Sequence, residues 1–377
     1  MKLRRVRAMA RNEFLHVLRD PRSLTMALAL PVLLLVLFGF ALSLDVDRIP
    51  VYVTDLDRTP QSRDLIAQFE ASRYFQVEGY RTSVTEISRL IDEGRCVVGL
   101  VLLSGFGDDI DRGRRASLQL IVDGSDSNTA TIAVGYARTL ILTYSANVIA
   151  EYIEARTGMR LHPAVQAKPR IWYNETLESK NFIVPGLIAV ILMVIASLLT
   201  SLTIAREWEL GTMEQLLSTP VRPAELVLGK MAAYFTVGLV DSLVAIGAGI
   251  FVFQVPFRGS LLLLASSTVV FLCGALGWGI LLSAFARNQL LAFLMGVLSS
   301  FLPGFLLSGF VFSIENMPSV IQLLTHIVPA RYYIRILQGI FLKGVGFEVL
   351  AGQMFFLLVY ASLVFLVTTR LVGRKMA

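Results

Sequence analysis

Six long apolar runs punctuate this chain, and a polar stretch of about 135 residues separates the first run from the second. The runs cover residues 23–44, 181–205, 231–257, 259–286, 288–314 and 349–369. Each holds at least about 20 residues, enough at about 1.5 Å rise per residue to cross a hydrocarbon core of about 30 Å. Five of the six contain no Asp, Glu, Lys or Arg, and the third carries only Asp241. A water-soluble core does not need six such segments. The pattern therefore predicts a polytopic α-helical membrane protein with six transmembrane helices.

The polar stretch, 45–180, follows a different rhythm. Short β-like runs at 50–54, 74–80, 96–103 and 117–122 alternate with helical patterning at 59–72, 84–93 and 105–113, and a longer helical segment at 127–157 closes the series. Such alternation predicts an inserted α/β domain with a mostly parallel or mixed sheet. Asp55 and Asp57, and Asp123 and Asp126, follow strands, but their spacing is not that of a calcium loop, and turn formation by Asp and Gly accounts for them equally well. A polar stretch at 162–180 leads back to the membrane, with Trp172 and Tyr173 as interface aromatics.

Ahead of the first run, Leu3, Val6, Ala10, Phe14 and Val17 fall at helical spacing, with Arg4, Arg7 and Arg11 opposite. Residues 1–22 thus form an amphipathic elbow helix along the inner membrane surface, ended by Asp20-Pro21. A cleaved secretory signal is the competing reading, but its apolar region spans only about 7–15 residues. Mean hydropathy is +0.66 and the formal net charge is +6. Segment 45–180 nets −3 and the remainder +9, so the basic character belongs to the membrane part. Lys and Arg cluster before the first span and after the last, at Arg370, Arg374 and Lys375, which places both termini, the loop with Arg206 and Arg222, and the turn at Arg287 in the cytoplasm. The insert is then extracytoplasmic. The basic N-terminus meets anionic headgroups rather than nucleic acid. Two cysteines, Cys96 and Cys273, lie too far apart in this topology to pair, and His16, His162 and His326 form no metal site.

No P-loop is present: Gly229-Lys230 is followed by Met231, and Ala224 stands where the first glycine is required. Any ATP-driven work needs a separate ATPase chain. The cytoplasmic loop 206–225 is the candidate contact, with Leu210, Met213 and Leu217 on one helical face, Thr219-Pro220 as a stop and Arg222-Pro223 opening the next helix with Glu225 in its first turn. Beyond the fifth span, Pro318, Pro329 and Gly339 break segment 315–348 into apolar pieces too short to cross, which read as a re-entrant extracytoplasmic gate. Pro303-Gly304 and Ser308-Gly309 permit a kink or close contact, and the second and fifth spans are the expected conduit wall. Asp241, the intramembrane acid, is a functional candidate by its cost in a bilayer.

These features resemble the type 2 ATP-binding-cassette permeases, in particular the multidrug-efflux-like subgroup with a large extracytoplasmic domain between spans one and two. The likeness rests on Arg206-Glu207, Gly211-Thr212-x-Glu214, Thr219-Pro220 and Gly229-Lys230. It extends to Arg19-Asp20-Pro21, Ser308-Gly309 and Glu315-Asn316-Met317-Pro318; Ser313 stands where many relatives carry proline. The resemblance implies a permease subunit of an exporter that moves a hydrophobic substrate or drug outward. It would work as a dimer with a second copy or paralogue, beside cytoplasmic ATPase subunits that use ATP and magnesium. No cofactor belongs to this chain itself, and a periplasmic adaptor is a further candidate partner. ATPase coupling falls to Arg206, Glu207, Gly211, Thr212, Glu214, Thr219 and Pro220, and the gate or conduit to Gly309, Asn316, Met317, Pro318 and Pro329. The expected order is elbow 1–22, spans 23–44, 181–205, 226–257, 259–286, 288–314 and 349–369, insert 45–180, coupling helix 206–225, gate 315–348 and tail 370–377 in the inner or plasma membrane. Two other classes compete: a proton-coupled carrier using Asp241, and a membrane sensor or force transmitter that moves nothing.

Overall fold

A computed structural model describes residues 2–19, 21–41, 48–158, 172–174, 178–286 and 288–376. His162, Arg287, Asp20 and most of the 162–180 stretch lie outside the described residues. In chain order the elements begin α1 (Leu3–Arg19), α2 (Pro21–Ala41), β1 (Ile49–Asp55), α3 (Pro60–Glu70), β2 (Phe75–Tyr80), α4 (Val84–Asp92), β3 (Val98–Leu102), α5 (Phe106–Asp111), β4 (Leu118–Val122) and α6 (Ser127–Thr157). They continue with α7 (Ser179–Ser201), α8 (Thr203–Glu209), α9 (Thr212–Leu217), α10 (Pro223–Phe251), α11 (Leu261–Phe285), α12 (Gln289–Leu306), α13 (Ser319–Leu324), α14 (Pro329–Gln338) and α15 (Phe347–Met376). The chain divides into two units: 44–170, and 1–43 joined with 171–377.

In the smaller unit four strands form one sheet in the order β2-β1-β3-β4, with β1 parallel to both β2 and β3, and β4 antiparallel to β3. The period of two along β1 and β3 sorts side chains onto opposite faces. Val51, Val53, Val98, Leu100 and Leu102 pack on one face with Leu65 and Phe69 of α3 and Ala133, Ala137 and Tyr144 of α6. Tyr52 and Val101 pack on the other with Ile87 and Leu90 of α4. Thr59 caps α3 by accepting from the Ser62 N–H (3.3 Å), and Ser83 caps α4 by accepting from the Glu86 N–H (3.3 Å).

Among the described residues six helices are long and apolar enough to cross a membrane: Thr129–Ala155, Ser179–Glu209, Pro223–Phe251, Leu261–Phe285, Gln289–Leu306 and Phe347–Lys375. This set differs from the predicted one. It includes most of α6, while the predicted first span contributes only the shorter apolar stretch Ala27–Ala41. Composition alone does not distinguish the two cases. α6 has the lowest mean hydropathy of the six, 1.2, and turns Ala133, Ala137 and Tyr144 onto the sheet, with the Tyr144 hydroxyl donating to the Gln61 carbonyl at 3.0 Å. Its packing against that sheet is that of a domain helix.

Three boundaries depart from expectation. The fifth span, expected over 288–314, ends at Leu306, and Gly309 follows at a φ of +85°. The predicted break at Gly339 does not occur, because that residue continues the helix as a π turn, Gly339–Lys343, and the chain turns at Gly344 instead. The coupling region is two short helices, not one: the Gly211 φ of +72° separates α8 from α9, leaving Leu210 66% exposed and Met213 2% exposed, so the proposed shared face does not exist.

The Asp55 and Asp57 carboxylates are occupied by the loops they organise. Asp55 accepts from the N–H groups of Asp57 and Arg58 and from the Ser62 hydroxyl, while Asp57 accepts from the N–H groups of Gly105 (2.7 Å) and Gly107 (2.8 Å) and from the Thr59 hydroxyl (2.5 Å). Burial opposes ionisation of Asp57, but these bonds outweigh it and hold the carboxyl below its ordinary value. A depressed folded-state value means that the stabilisation is fully present above the unfolded value of about 4 and is lost as pH falls through the folded one. Amide protection at 105–107, taken relative to the intrinsic exchange rate at each pH, should therefore fall below about pH 4, and Asp57→Ala should produce the same local opening at neutral pH. Hydrogen-exchange mass spectrometry reads both; unchanged protection in the Ala variant would show that Asp57 does not hold this loop.

Candidate functional site

The coupling region begins where α7 ends. The Thr200 hydroxyl donates to the Ala196 carbonyl (2.8 Å) within α7 and lies 2.9 Å from the Leu276 carbonyl of α11. The helix breaks at Leu202, and the hydroxyl oxygen of Ser283 in α11 accepts from the N–H groups of both Ile204 and Ala205 at 2.9 Å, which satisfies donors that the break exposes. α8 therefore starts from a fixed base.

At the centre of that base lies Lys230, 1% exposed, within α10. Its Nζ sits 3.0 Å from Glu13 Oε2 of α1 and 3.1 Å from Glu207 Oε1 of α8. The Tyr234 hydroxyl donates to Glu13 Oε1 at 3.3 Å, and the Thr212 hydroxyl of α9 donates to Glu207 Oε2. Three separate chain segments thus converge on one ammonium. Gly229, the preceding residue, makes the approach possible, because a Cβ there would meet Met9 Cβ of α1 at 2.4 Å. The Gly-Lys pair of the sequence motif has a physical meaning: the glycine admits α1 and the lysine binds it.

A second cluster fixes the start of α10. Glu225, buried, accepts from the Lys2 N–H (2.6 Å) and from the Arg222 N–H (3.1 Å), and its Oε2 lies 3.6 Å from Arg5 Nη1. Arg5 also donates to the Pro220 carbonyl. On the other side of α8, Glu209 accepts from the Gln289 N–H at 2.8 Å, and Arg206 Nε lies 3.4 Å from Gln289 Oε1, at the first residue of α12. Asn288 caps that helix, accepting from the Leu291 N–H at 2.7 Å.

The seven predicted coupling residues fall into two groups. Arg206, Glu207 and Thr212 are half-buried and face inward to α1, α10 and α12, while Gly211, Glu214, Thr219 and Pro220 form an exposed tip. Beside the base, a cavity of about 170 Å³ lies between Val17, Ala27, Leu199 and Phe293, with Glu13 and Glu207 also lining it. Glu13 was not legible as a site residue, although it is the one acid in an otherwise basic helix. Lys230 enters the sequence pattern only through the Gly229-Lys230 pair, directly before the third apolar run.

The predicted gate residues also separate. Pro329 is buried at the first position of α14, whose Tyr333 stacks on Phe271 of α11 (4.1 Å) and shares a 2.8 Å hydrogen bond with Thr268. Gly309 and Met317 are half-buried, and Asn316 and Pro318 are exposed. The α13 that follows Pro318 leaves Val320 and Leu323 each 71% exposed. Asp241 is 2% exposed, and neither of its oxygens has a hydrogen-bond partner among the described residues; Ser242 beside it donates to its own helix at the Leu239 carbonyl.

The central ion cluster has a measurable signature. Lys230→Met leaves the buried Glu13 and the half-buried Glu207 without their cation and should cost about 3 kcal/mol. The triple variant Glu13→Gln, Lys230→Met, Glu207→Gln should recover most of that loss. Thermal unfolding in lipid nanodiscs tests this; a triple variant as unstable as the single one would show that charge pairing is not what joins the helices.

Residues 21–370 match the model of the family described as "ABC-2 family transporter protein". The chain is 36% identical over 360 residues to the "Probable multidrug ABC transporter permease YbhS" of Escherichia coli (strain K12), covering 95% of this chain and 94% of that protein. It is 33% identical over 359 residues to the "Probable multidrug ABC transporter permease YbhR" of the same organism, covering 95% of each. A more distant relative, "ABC transporter G family member 20" of Dictyostelium discoideum, is 23% identical over 361 residues, 96% of this chain but 49% of that protein. With its apolar helices and this near full-length match, the chain belongs to the ABC-2 family of transporter proteins and is a multi-pass membrane permease of an ABC exporter.

Proposed function

We propose that the exposed tip of α8–α9 is where a separate cytoplasmic ATPase subunit docks, and that this chain contains no ATPase site of its own. One observation carries the reading: an exposed tip stands on a buried base that is tied by ion pairs and hydrogen bonds to α1, α10, α11 and α12. Force applied to the tip is then passed to several membrane helices instead of being absorbed by a flexible loop. The family membership supports a dimeric assembly with two ATPase subunits. The relatives' names support drugs or other hydrophobic compounds as the substrate class. On this reading the smaller unit faces outward, where a periplasmic adaptor could meet it. Residues 309–329 then stand at the outer end of the conduit.

Charge reversal at the tip separates docking from folding. Glu214→Lys should leave thermal stability within about 0.5 kcal/mol, because the residue is exposed and bonds to nothing that holds the base. In the complex with its ATPase it should lower transport into inside-out vesicles and substrate-stimulated ATP hydrolysis together, by about tenfold. Normal transport and normal ATP hydrolysis in that variant would remove the tip from the mechanism.

Sidedness is tested by single cysteines and an impermeant maleimide. Cys96 is buried and Cys273 half-buried, so background labelling is low. Ser218→Cys should react only in inside-out vesicles, whereas Ser125→Cys should react in right-side-out ones. Labelling of both from one side would reverse the proposed topology.

A further inference from the structure

A cleft of about 530 Å³ opens in the smaller unit at the carboxyl ends of β1 and β2. In open α/β sheets this end of the parallel strands is where ligands sit. Arg58, which follows β1, and Arg63, which projects from α3, line the cleft, with Arg81 at its rim after β2. Two acids share the lining, Asp55 and Glu70, and both are engaged. Asp55 accepts two backbone N–H groups and the Ser62 hydroxyl, and Glu70 accepts from the Tyr80 hydroxyl at 2.9 Å.

Arg58 and Arg63 are not consumed in the same way: among the described residues neither forms an ion pair. Arg81 is engaged elsewhere, with Nη1 donating to the Tyr80 carbonyl (2.7 Å) and the guanidinium over the Tyr52 ring (4.7 Å), on the α4 face of the sheet. Arg58 adopts a φ of +56°, a region where glycine or asparagine would sit with less strain, and Asp55 holds it there through its N–H at 2.9 Å. A long cation at a strained backbone position, with Arg63 lining the same cleft, is the arrangement expected of a site that needs its charge there. Ile66 supplies a buried apolar wall and Leu56 an exposed one.

We propose that this cleft binds a small phosphate monoester, its oxyanion held by the Arg58 and Arg63 forks and its organic part against Ile66 and Leu56. Planar guanidinium donors match phosphate oxygens two at a time. The reading is independent of where an ATPase docks.

Binding is measured on the full chain in phosphatidylcholine nanodiscs by equilibrium dialysis, with 4-methylumbelliferyl phosphate as probe and neutral 4-methylumbelliferone as control. The phosphate should bind saturably and at least about tenfold more tightly than the neutral compound, with affinity falling as salt rises. Arg63→Gln should weaken it about tenfold. Arg58→Gly should weaken it similarly while raising the unfolding temperature, since glycine relieves the backbone strain; Arg115→Gln, outside the cleft, should do neither. Displacement by inorganic phosphate identifies a soluble ligand, and displacement only when the discs contain phosphatidic acid identifies a lipid headgroup. Absence of saturable binding up to millimolar probe, equal binding of the neutral compound, displacement by neither phosphate source, or undiminished affinity in both arginine variants would overturn the proposal.

Discussion

An ammonium group cannot remain charged at 1% exposure among apolar helices unless acids accompany it, and Lys230 has two. Because Glu13 arrives from α1 and Glu207 from α8, satisfying that one charge fixes two helices against a third. Gly229 tightens the joint by removing the side chain that would keep α1 away. Buried ion clusters seldom add net stability over well-packed apolar side chains, so this network is better understood as a specifier of geometry. It determines where the elbow helix lies, and through Thr212 it determines where the tip of α9 stands.

The membrane helices were legible because their signal is local: absence of charge over about 20 residues is visible in any window. The strands and helices of the smaller unit were legible for the same reason, as alternation and capping residues at Thr59 and Ser83 mark them within a few positions. Reading α6 against the first span was harder, since both are apolar and long, and only the partner surface tells them apart. The elbow helix shows the limit well. Its apolar periodicity was visible, yet Leu3 and Phe14 are exposed, and the buried positions are Glu13 and Val17. A stripe counted by hydropathy discards the acid that the fold uses most.

The candidate site was half legible. Arg206, Glu207 and Thr212 appear in one motif with Gly211, Glu214, Thr219 and Pro220, and nothing in their spacing says that the first three point inward and the others outward. That division depends on the Gly211 turn and on partners 23 and 83 residues away in sequence, Lys230 and Gln289. Ser283 and Gln289, which complete the base, carry no local signal at all.

If the tip receives force, its path is constrained by how firmly each neighbour is packed. The ends of α8 joined to α10 and α11 meet buried residues on both sides, such as Leu226, Val227, Ile280 and Ala284. α12 is different. Its buried positions are Ala292, Gly296, Ser300 and Gly304, a stripe of small residues recurring every four, and a Cβ at Gly296 would strike Ser201 of α7 at 3.0 Å. Such a stripe gives close backbone contact with little side-chain interlocking, so sliding along it disturbs few rotamers. Since Gln289 at the head of α12 is bonded to both Arg206 and Glu209, displacement of α8 under the proposed docking would reach α12 and its small-residue stripe. On that reading the Glu207–Lys230 pair holds the α10 side while the Gln289 contacts carry movement to the α7–α12 seam, where the second and fifth apolar spans meet.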